Sequence, residues 1–307
     1  MATSVNCSID EQQHNLGALL LMMLPLTVLK APGMASWPKT LLASLLLSLF
    51  CNFALAAPSA DLWPRWQSND PESRQVIDHS PWNELLMQHV RRGDDNTNRV
   101  DYASVNDAQR ARLSDYIQQL AQTRISECNS HEQKAYWINL YNALTVQVIL
   151  QHYPVSSIRD IDISPGLFTS GPWGKKLITI EGESLSLDDI EHRILRPIWM
   201  DPRIHYALNC ASIGCPDLAP KAFAASTLDA DLDAAARSFI NHPRAVKVDG
   251  ASAKLSSIYD WFKSDFGDQD AALIEHLRTY AAPLLREQLL QVRAVSEHHY
   301  DWALNRP

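Results

Sequence analysis

Trp137, Tyr141, Leu144 and Val148 recur at i, i+4, i+7 and i+11, a buried stripe that commits this part of the chain to one long helix. Ser130 and Gln133 predict a capping box at its start, and the helix is expected to run to about Leu150, before Pro154. Any fold must be assembled around such an element, because its apolar face has to be covered. Two residues break the pattern. Asn139 and Asn142 lie three apart, on an adjacent stripe with Ala135 and Val146. Asn in the middle of an apolar helix is locally unfavourable, and a buried carboxamide needs partners. Both are expected to bond to loop backbone, at residues 163–176 or at the turn around Cys210. Direct participation in catalysis is the alternative.

Other helices read more plainly. Ser80-Pro81 opens one whose apolar face is Trp82, Leu85, Leu86 and Val90, and Asp107 to Ala121 carries Leu113, Ile117 and Leu120. Ser186 and Asp189 cap another that reaches Leu195 and ends at Pro197. Ser226 with Asp229 opens a helix to about Asn241, and further helices are expected over Ile258 to Phe266 and Ala271 to Leu290. Two hairpins are expected. One joins Leu177–Ile180 to Ser184-Leu185 through Glu181-Gly182; the other joins Val246–Val248 to Lys254-Leu255 through Asp249-Gly250. Ile204 to Leu208 reads as a short buried strand, and residues 163–176 are too rich in Gly and Pro to be helix or strand. No repeat and no linker divides the chain. The expected fold is α+β: one helix-dominated domain over 80–305 with a small antiparallel sheet and short hairpins, preceded by an extended arm at 57–79.

The N-terminal region reads as an export signal. From Met34, Lys39 supplies positive charge, Leu41 to Phe53 is a Leu-rich run short for a bilayer, and Ala54-Leu55-Ala56 is an A-x-A cleavage signal. Residues 34–56 are thus expected to be a signal peptide and 1–33 an over-extended start; a membrane anchor of two short apolar segments is the competing reading. Bulky Leu49 and Phe50 disfavour a lipid anchor at Cys51. The mature chain is expected to be exported, periplasmic or secreted, with no stable membrane anchor after cleavage. The formal net charge of −8, with no run of Lys or Arg, argues against nucleic acid as a partner. Of five cysteines, removal of Cys7 and Cys51 leaves Cys128, Cys210 and Cys215, an odd number for an oxidising compartment.

Several stretches occur together and in order: Ala135-Tyr136-Trp137-Ile138-Asn139-Leu140-Tyr141-Asn142-Ala143, then Ser186-Leu187-Asp188-Asp189-Ile190-Glu191-His192, then Asp201 to Pro216, and finally Tyr300-Asp301-Trp302-Ala303-Leu304-Asn305. In these the chain resembles the family catalogued as domain of unknown function 547, found in exported bacterial proteins and in plant proteins. The resemblance covers roughly residues 80 to 305. It implies a domain type and the location of a site, and no established activity.

Within that region, Cys210 falls at a sharp turn after a rigid element, with Gly214 and Pro216 just beyond. The leading reading is a thiol-dependent hydrolase or transferase acting on amide or ester bonds. Cys210 would be the nucleophile, His205 the general base and Asn142 or Asn139 the orienter, with backbone N–H groups near Ala211 and Ser212 as oxyanion donors. The five-residue spacing sends His205 and Cys210 to opposite faces of a strand unless the turn re-aims the cysteine. The rival reading is a non-catalytic binding or scaffold module in which a Cys210–Cys215 disulfide pins a recognition loop, and inert buried thiols are the third. Trp173, Lys175, Ser212 and Glu191 are the candidate substrate contacts. Asp188 and Asp189 are explained by the positive end of a helix dipole. His192, His205, Cys210 and Cys215 supply ligand types, but C-x4-C is looser than the C-x2-C of most structural zinc sites, so no metal or other cofactor is expected. The expected partner is a small-molecule or peptide-like ligand of unknown identity.

Overall fold

The structure is a computed structural model that describes residues 58–166 and 170–307. The expectations for 1–33 and 34–56 lie outside the described residues. Among those residues, no helix is long and apolar enough to cross a membrane.

The fold is α+β, and it is built on the long helix. In chain order the elements are α1 (Ser80–His89), β1 (Val90–Arg92), β2 (Asn98–Val100), α2 (Asp107–Gln122), α3 (Ser130–His152), β3 (Ile178–Ile180) and β4 (Glu183–Leu185). A π-helix (Asp189–Leu195) then runs into α4 (Arg196–Trp199), followed by α5 (Ile204–Ala207), α6 (Leu228–Ile240), β5 (Val246–Asp249) and β6 (Ser252–Ser256). The chain closes with α7 (Ile258–Trp261), α8 (Asp270–Tyr280), α9 (Pro283–Leu289) and β7 (Ala294–His299). The helix α3 is buried on every side from Glu132 to Val146, not along one stripe. Its cap differs from the expected one. Asn129, in extended backbone, accepts from His131 and Glu132 N–H at 3.1 Å, because Ser130 is already helical. Gln133 is thereby freed to donate to the carbonyls of Ser68, Ile125 and Cys128, fixing the preceding loop.

The segment 189–199 shows why Pro197 does not stop a helix here. The Arg196 N–H reaches back to Glu191 O, five residues away, in the wider π turn. Pro197 has no N–H to give to Arg193 O. That carbonyl and its neighbour are taken by the N-terminal arm, with Trp63 N–H on Arg193 O at 3.0 Å and Asp61 N–H on His192 O at 2.9 Å. The missing intrahelical bond becomes a docking point, and Trp66 of the arm is buried.

Three further expectations are corrected. Ile204–Leu208 is not a strand: Ile204–Ala207 is one helical turn, nucleated by Asp201, whose side chain accepts from Arg203 N–H and whose carbonyl accepts from Ile204 N–H. A run of five residues, four of them apolar, fits either pattern, and Asp201-Pro202 decides for the turn. The helix expected over 271–290 is divided at Pro283, which starts α9. Finally, β6 pairs antiparallel with β5 as expected but also parallel with β7. In the β3–β4 hairpin, Glu181 (φ 46°) and Gly182 (φ 87°) both take the left-handed conformation of a type I′ turn.

The buried side chains form two clusters, a large one around α3 and a smaller one holding Tyr206, Phe239, Tyr259, Phe266 and Leu277. The seam passes through α5: Tyr206 belongs to the smaller cluster, Ala207 and Leu208 to the larger.

A buried and a half-buried histidine make the fold acid-sensitive. His79 shares a hydrogen bond with the Tyr116 hydroxyl (2.7 Å) and His276 with the Tyr206 hydroxyl (2.8 Å); burial pushes both down to about 4. A histidine that stays neutral when folded and titrates near 6.5 when unfolded stabilises the fold fully above about pH 6.5. That stability is lost as pH falls towards 4, and the pair is worth a few kcal/mol over the window. Asp188, raised to about 6, and Glu132, also raised, oppose this trend in part. The melting temperature should therefore fall steadily between pH 6.5 and 4, and His79→Gln with His276→Gln should flatten the profile; an acid-insensitive wild type would rule the assignment out.

Candidate functional site

Beyond α5 the chain enters a tight loop, 208–216, held by the side-chain carboxamides of Asn142 and Asn209. Asn142 donates to Ala207 O (2.8 Å) and accepts from Asn209 N–H (2.8 Å), so one carboxamide clamps both ends of a two-residue step. Asn139 does the same at one residue, donating to Phe223 O (2.7 Å) and accepting from Phe223 N–H (3.0 Å). Asn209 closes the loop from inside: it donates to Pro216 O (2.8 Å) and accepts from Ala211 N–H (3.0 Å). The Ala211 N–H is thus not available as an oxyanion donor. Ala211 itself is left-handed, at φ 55°.

The C-terminal segment lies along this loop. Ile213 N–H donates to Ala303 O and Gly214 N–H to Asp301 O, both at 2.8 Å, and Ser212 bridges to Leu304. A Cβ on Gly214 would stand 2.7 Å from the Asp301 nitrogen, which explains glycine there. This pairing delivers Tyr300 to the cysteine. The Cys210 sulfur lies 2.7 Å from Cys215 Sγ, 2.8 Å from the Tyr300 hydroxyl and 3.6 Å from Ser212 Oγ, and the two hydroxyls are 2.7 Å apart. The Cys210 N–H donates to Cys215 Sγ (2.9 Å).

The two thiols are free and differ in environment. Cys210 is half-buried; the hydrogen bond from Cys215, with others from Tyr300 and Ser212, holds its thiol below the ordinary value against the effect of burial. Cys215 is buried, and burial pushes it well above. The pair is a more acidic, more accessible thiol backed by a less acidic, hidden one. The disulfide considered from the sequence is not formed in this structure.

His205 belongs to a neighbouring network. Its Nε2 pairs with Asp265 at 2.7 Å, its Nδ1 lies 3.8 Å from Glu191, and its ring stacks on Phe262 at 4.2 Å. No hydrogen bond joins it to Cys210 among the described residues, because the helical turn at 204–207 aims it towards the π-helix and Asp265. Burial would raise the Asp265 carboxyl, but hydrogen bonds from His205 and from Arg196, at 2.6 and 3.1 Å, hold it far below the carboxylate range. Burial, with Glu191 and Asp189 close by, lifts Asp188 to about 6 although part of its carboxylate reaches solvent.

The structure therefore brings together Cys210, Ser212 and Cys215, and adds Tyr300, which the reading of the sequence left out of the site. Asn142 and Asn139 hold backbone. Glu191 stands by His205. Trp173 is half-buried and Lys175 exposed on the 170–176 loop. Among the described residues, no group of three or more His, Cys, Asp or Glu side chains is arranged to hold a metal ion.

Fold and site together define an α+β domain with a paired-thiol centre at a loop clamped to its central helix. Over residues 125–240, which hold α3, the π-helix and the Cys210 loop, the chain matches the family described as "Protein of unknown function, DUF547", so the resemblance drawn from the motifs is shown for that stretch. No curated protein and no solved structure matches the chain.

Proposed function

We propose that the protein carries out thiol–disulfide exchange, with Cys210 as the attacking thiol and Cys215 as the resolving one. The observation that carries this reading is the pairing itself: two free sulfurs 2.7 Å apart, one half-exposed and favoured as thiolate, the other buried. The Cys210 thiolate attacks one sulfur of a substrate disulfide, forming a mixed disulfide and releasing the other sulfur as a thiolate. Cys215, deprotonated as it attacks, then displaces the substrate's remaining sulfur from Cys210. The products are a Cys210–Cys215 disulfide and a dithiol substrate, two electrons having passed to the substrate; the reverse sequence oxidises a dithiol. Tyr300 and Ser212 donate hydrogen bonds to the Cys210 thiolate when it attacks or leaves.

Acyl transfer, the leading expectation from the sequence, is less well supported, since the partners of the Cys210 sulfur are Cys215, Tyr300 and Ser212 and no histidine is among them. Export through residues 34–56 is part of the same proposal, because an oxidising compartment supplies disulfide substrates.

The test is a trap. A Cys215→Ser protein offered a peptide disulfide should accumulate a mixed disulfide on Cys210, whereas the wild type should release the peptide and end with Cys210 joined to Cys215. If Cys215→Ser turns over as the wild type does, or neither protein reacts, the proposal fails.

A further inference from the structure

A string of four aromatic rings, none fully buried, leads away from the paired thiols. The Tyr300 hydroxyl touches Cys210; its ring lies 4.6 Å from Trp302 and 4.8 Å from Trp261, and Trp173 lies 5.9 Å from Trp302. They arrive from three separate places: the 170–176 loop, the end of α7 and the C-terminal segment. Trp173 and Trp302 pack on the larger hydrophobic cluster, Trp261 and Tyr300 on the smaller, so the rings line the seam at which Cys210 sits.

Rings that served only to fill a core would be covered, whereas these four are each part-exposed. Trp173 is also seated with care. Gly171 at φ +79° passes so close beneath its ring that a Cβ there would lie 2.0 Å from it, and Asp188 N–H holds the Trp173 carbonyl at 3.1 Å. The Arg159 guanidinium stands 5.2 Å from the Trp302 ring.

Resting on the thiol-exchange reading, the geometry points to an aromatic subsite for a polypeptide substrate. An extended segment carrying the disulfide lies with apolar side chains against Trp173, Trp261 and Trp302. Successive ring spacings of 4.6 and 5.9 Å are of the order of the spacing between neighbouring side chains of an extended chain, which rises roughly 3.3 Å per residue.

The test compares rates of mixed-disulfide formation at Cys210 for two peptides with the same activated cysteine, one flanked by Phe and Leu, the other by Gly and Ser, with 2-hydroxyethyl disulfide as the small reference. The apolar peptide should react at least about tenfold faster than the polar one, the effect of one well-buried aromatic contact. Trp302→Ala and Trp173→Ala should each remove most of that preference; if Trp302→Ala does not fold, Trp173→Ala, on a surface loop, still answers. Equal rates for the two peptides, or an unchanged preference in the variants, overturns the subsite. Failure of the exchange reading looks different, since no disulfide, small or large, would then react. In that event quenching of tryptophan fluorescence by the apolar peptide, with its cysteine S-methylated, still reports the subsite, and absence of quenching refutes it.

Discussion

Of Cys128, Cys210 and Cys215, native protein treated with iodoacetamide at neutral pH should be alkylated at Cys210 alone, and Cys210→Ser should cut the rate of modification of these three by at least about a hundredfold. The thiolate is the reacting species, and among the cysteines of the described residues only Cys210 combines solvent contact with hydrogen bonds that favour it. Cys215 is buried and its thiol raised; Cys128 is buried as well and pushed up to about 11, so only about one molecule in ten thousand carries that thiolate at neutral pH. Tyr300→Phe removes one donor from the Cys210 thiolate and should slow alkylation several-fold, about the worth of one charge-assisted hydrogen bond. Rapid alkylation that persists in Cys210→Ser would show the reactive thiol to be elsewhere.

The largest loss of stability is expected for Asn142→Ala, about 3–5 kcal/mol. Truncation strands the Ala207 carbonyl and the Asn209 N–H, both buried, at about 1–3 kcal/mol each, and leaves a cavity beside them. Asn139→Ala should cost a similar amount, since Phe223 loses the same two bonds. The two differ in what they do to the site. Asn142 is a positioning residue for the Cys210 loop, so the folded Asn142→Ala protein should also show altered alkylation at Cys210, while Asn139→Ala should not. Urea denaturation with alkylation in the native baseline separates the cases; a loss below about 1 kcal/mol for Asn142→Ala would mean that water or a local shift replaces the clamp.

How much of this was legible in the sequence differs from residue to residue. The long helix, the Asp107 start of α2 and the Glu181-Gly182 turn follow from local chemistry, and local chemistry is written in order along the chain. Asn139 and Asn142 were visible as polar intrusions into an apolar helix, and the need of a buried carboxamide for partners sufficed to expect backbone contacts. His205 is misdirected in the sequence reading because the short, mostly apolar run Ile204–Leu208 fits strand or helix equally, and the choice reverses which way an imidazole points. Tyr300 could not be tied to Cys210 by spacing, since 90 residues separate them and only the pairing of 301–304 with 212–214 brings them together. The parallel strand β7 had no signal of its own: Ala294–His299 is mostly exposed and lacks an alternating apolar face. The aromatic seam is likewise a product of tertiary contact among three distant segments.

The central claim, that Cys210 and Cys215 act as one redox couple, is tested most directly by equilibrating the full chain across a series of reduced-to-oxidised glutathione ratios, quenching with alkylating agent and mapping the 210–215 peptide by mass. A single two-electron transition is expected, in which the peptide loses two hydrogens, gains the Cys210–Cys215 link and carries no lasting glutathione. A peptide that stays reduced throughout, or that ends with glutathione on Cys210 while Cys215 remains a free thiol, would contradict it.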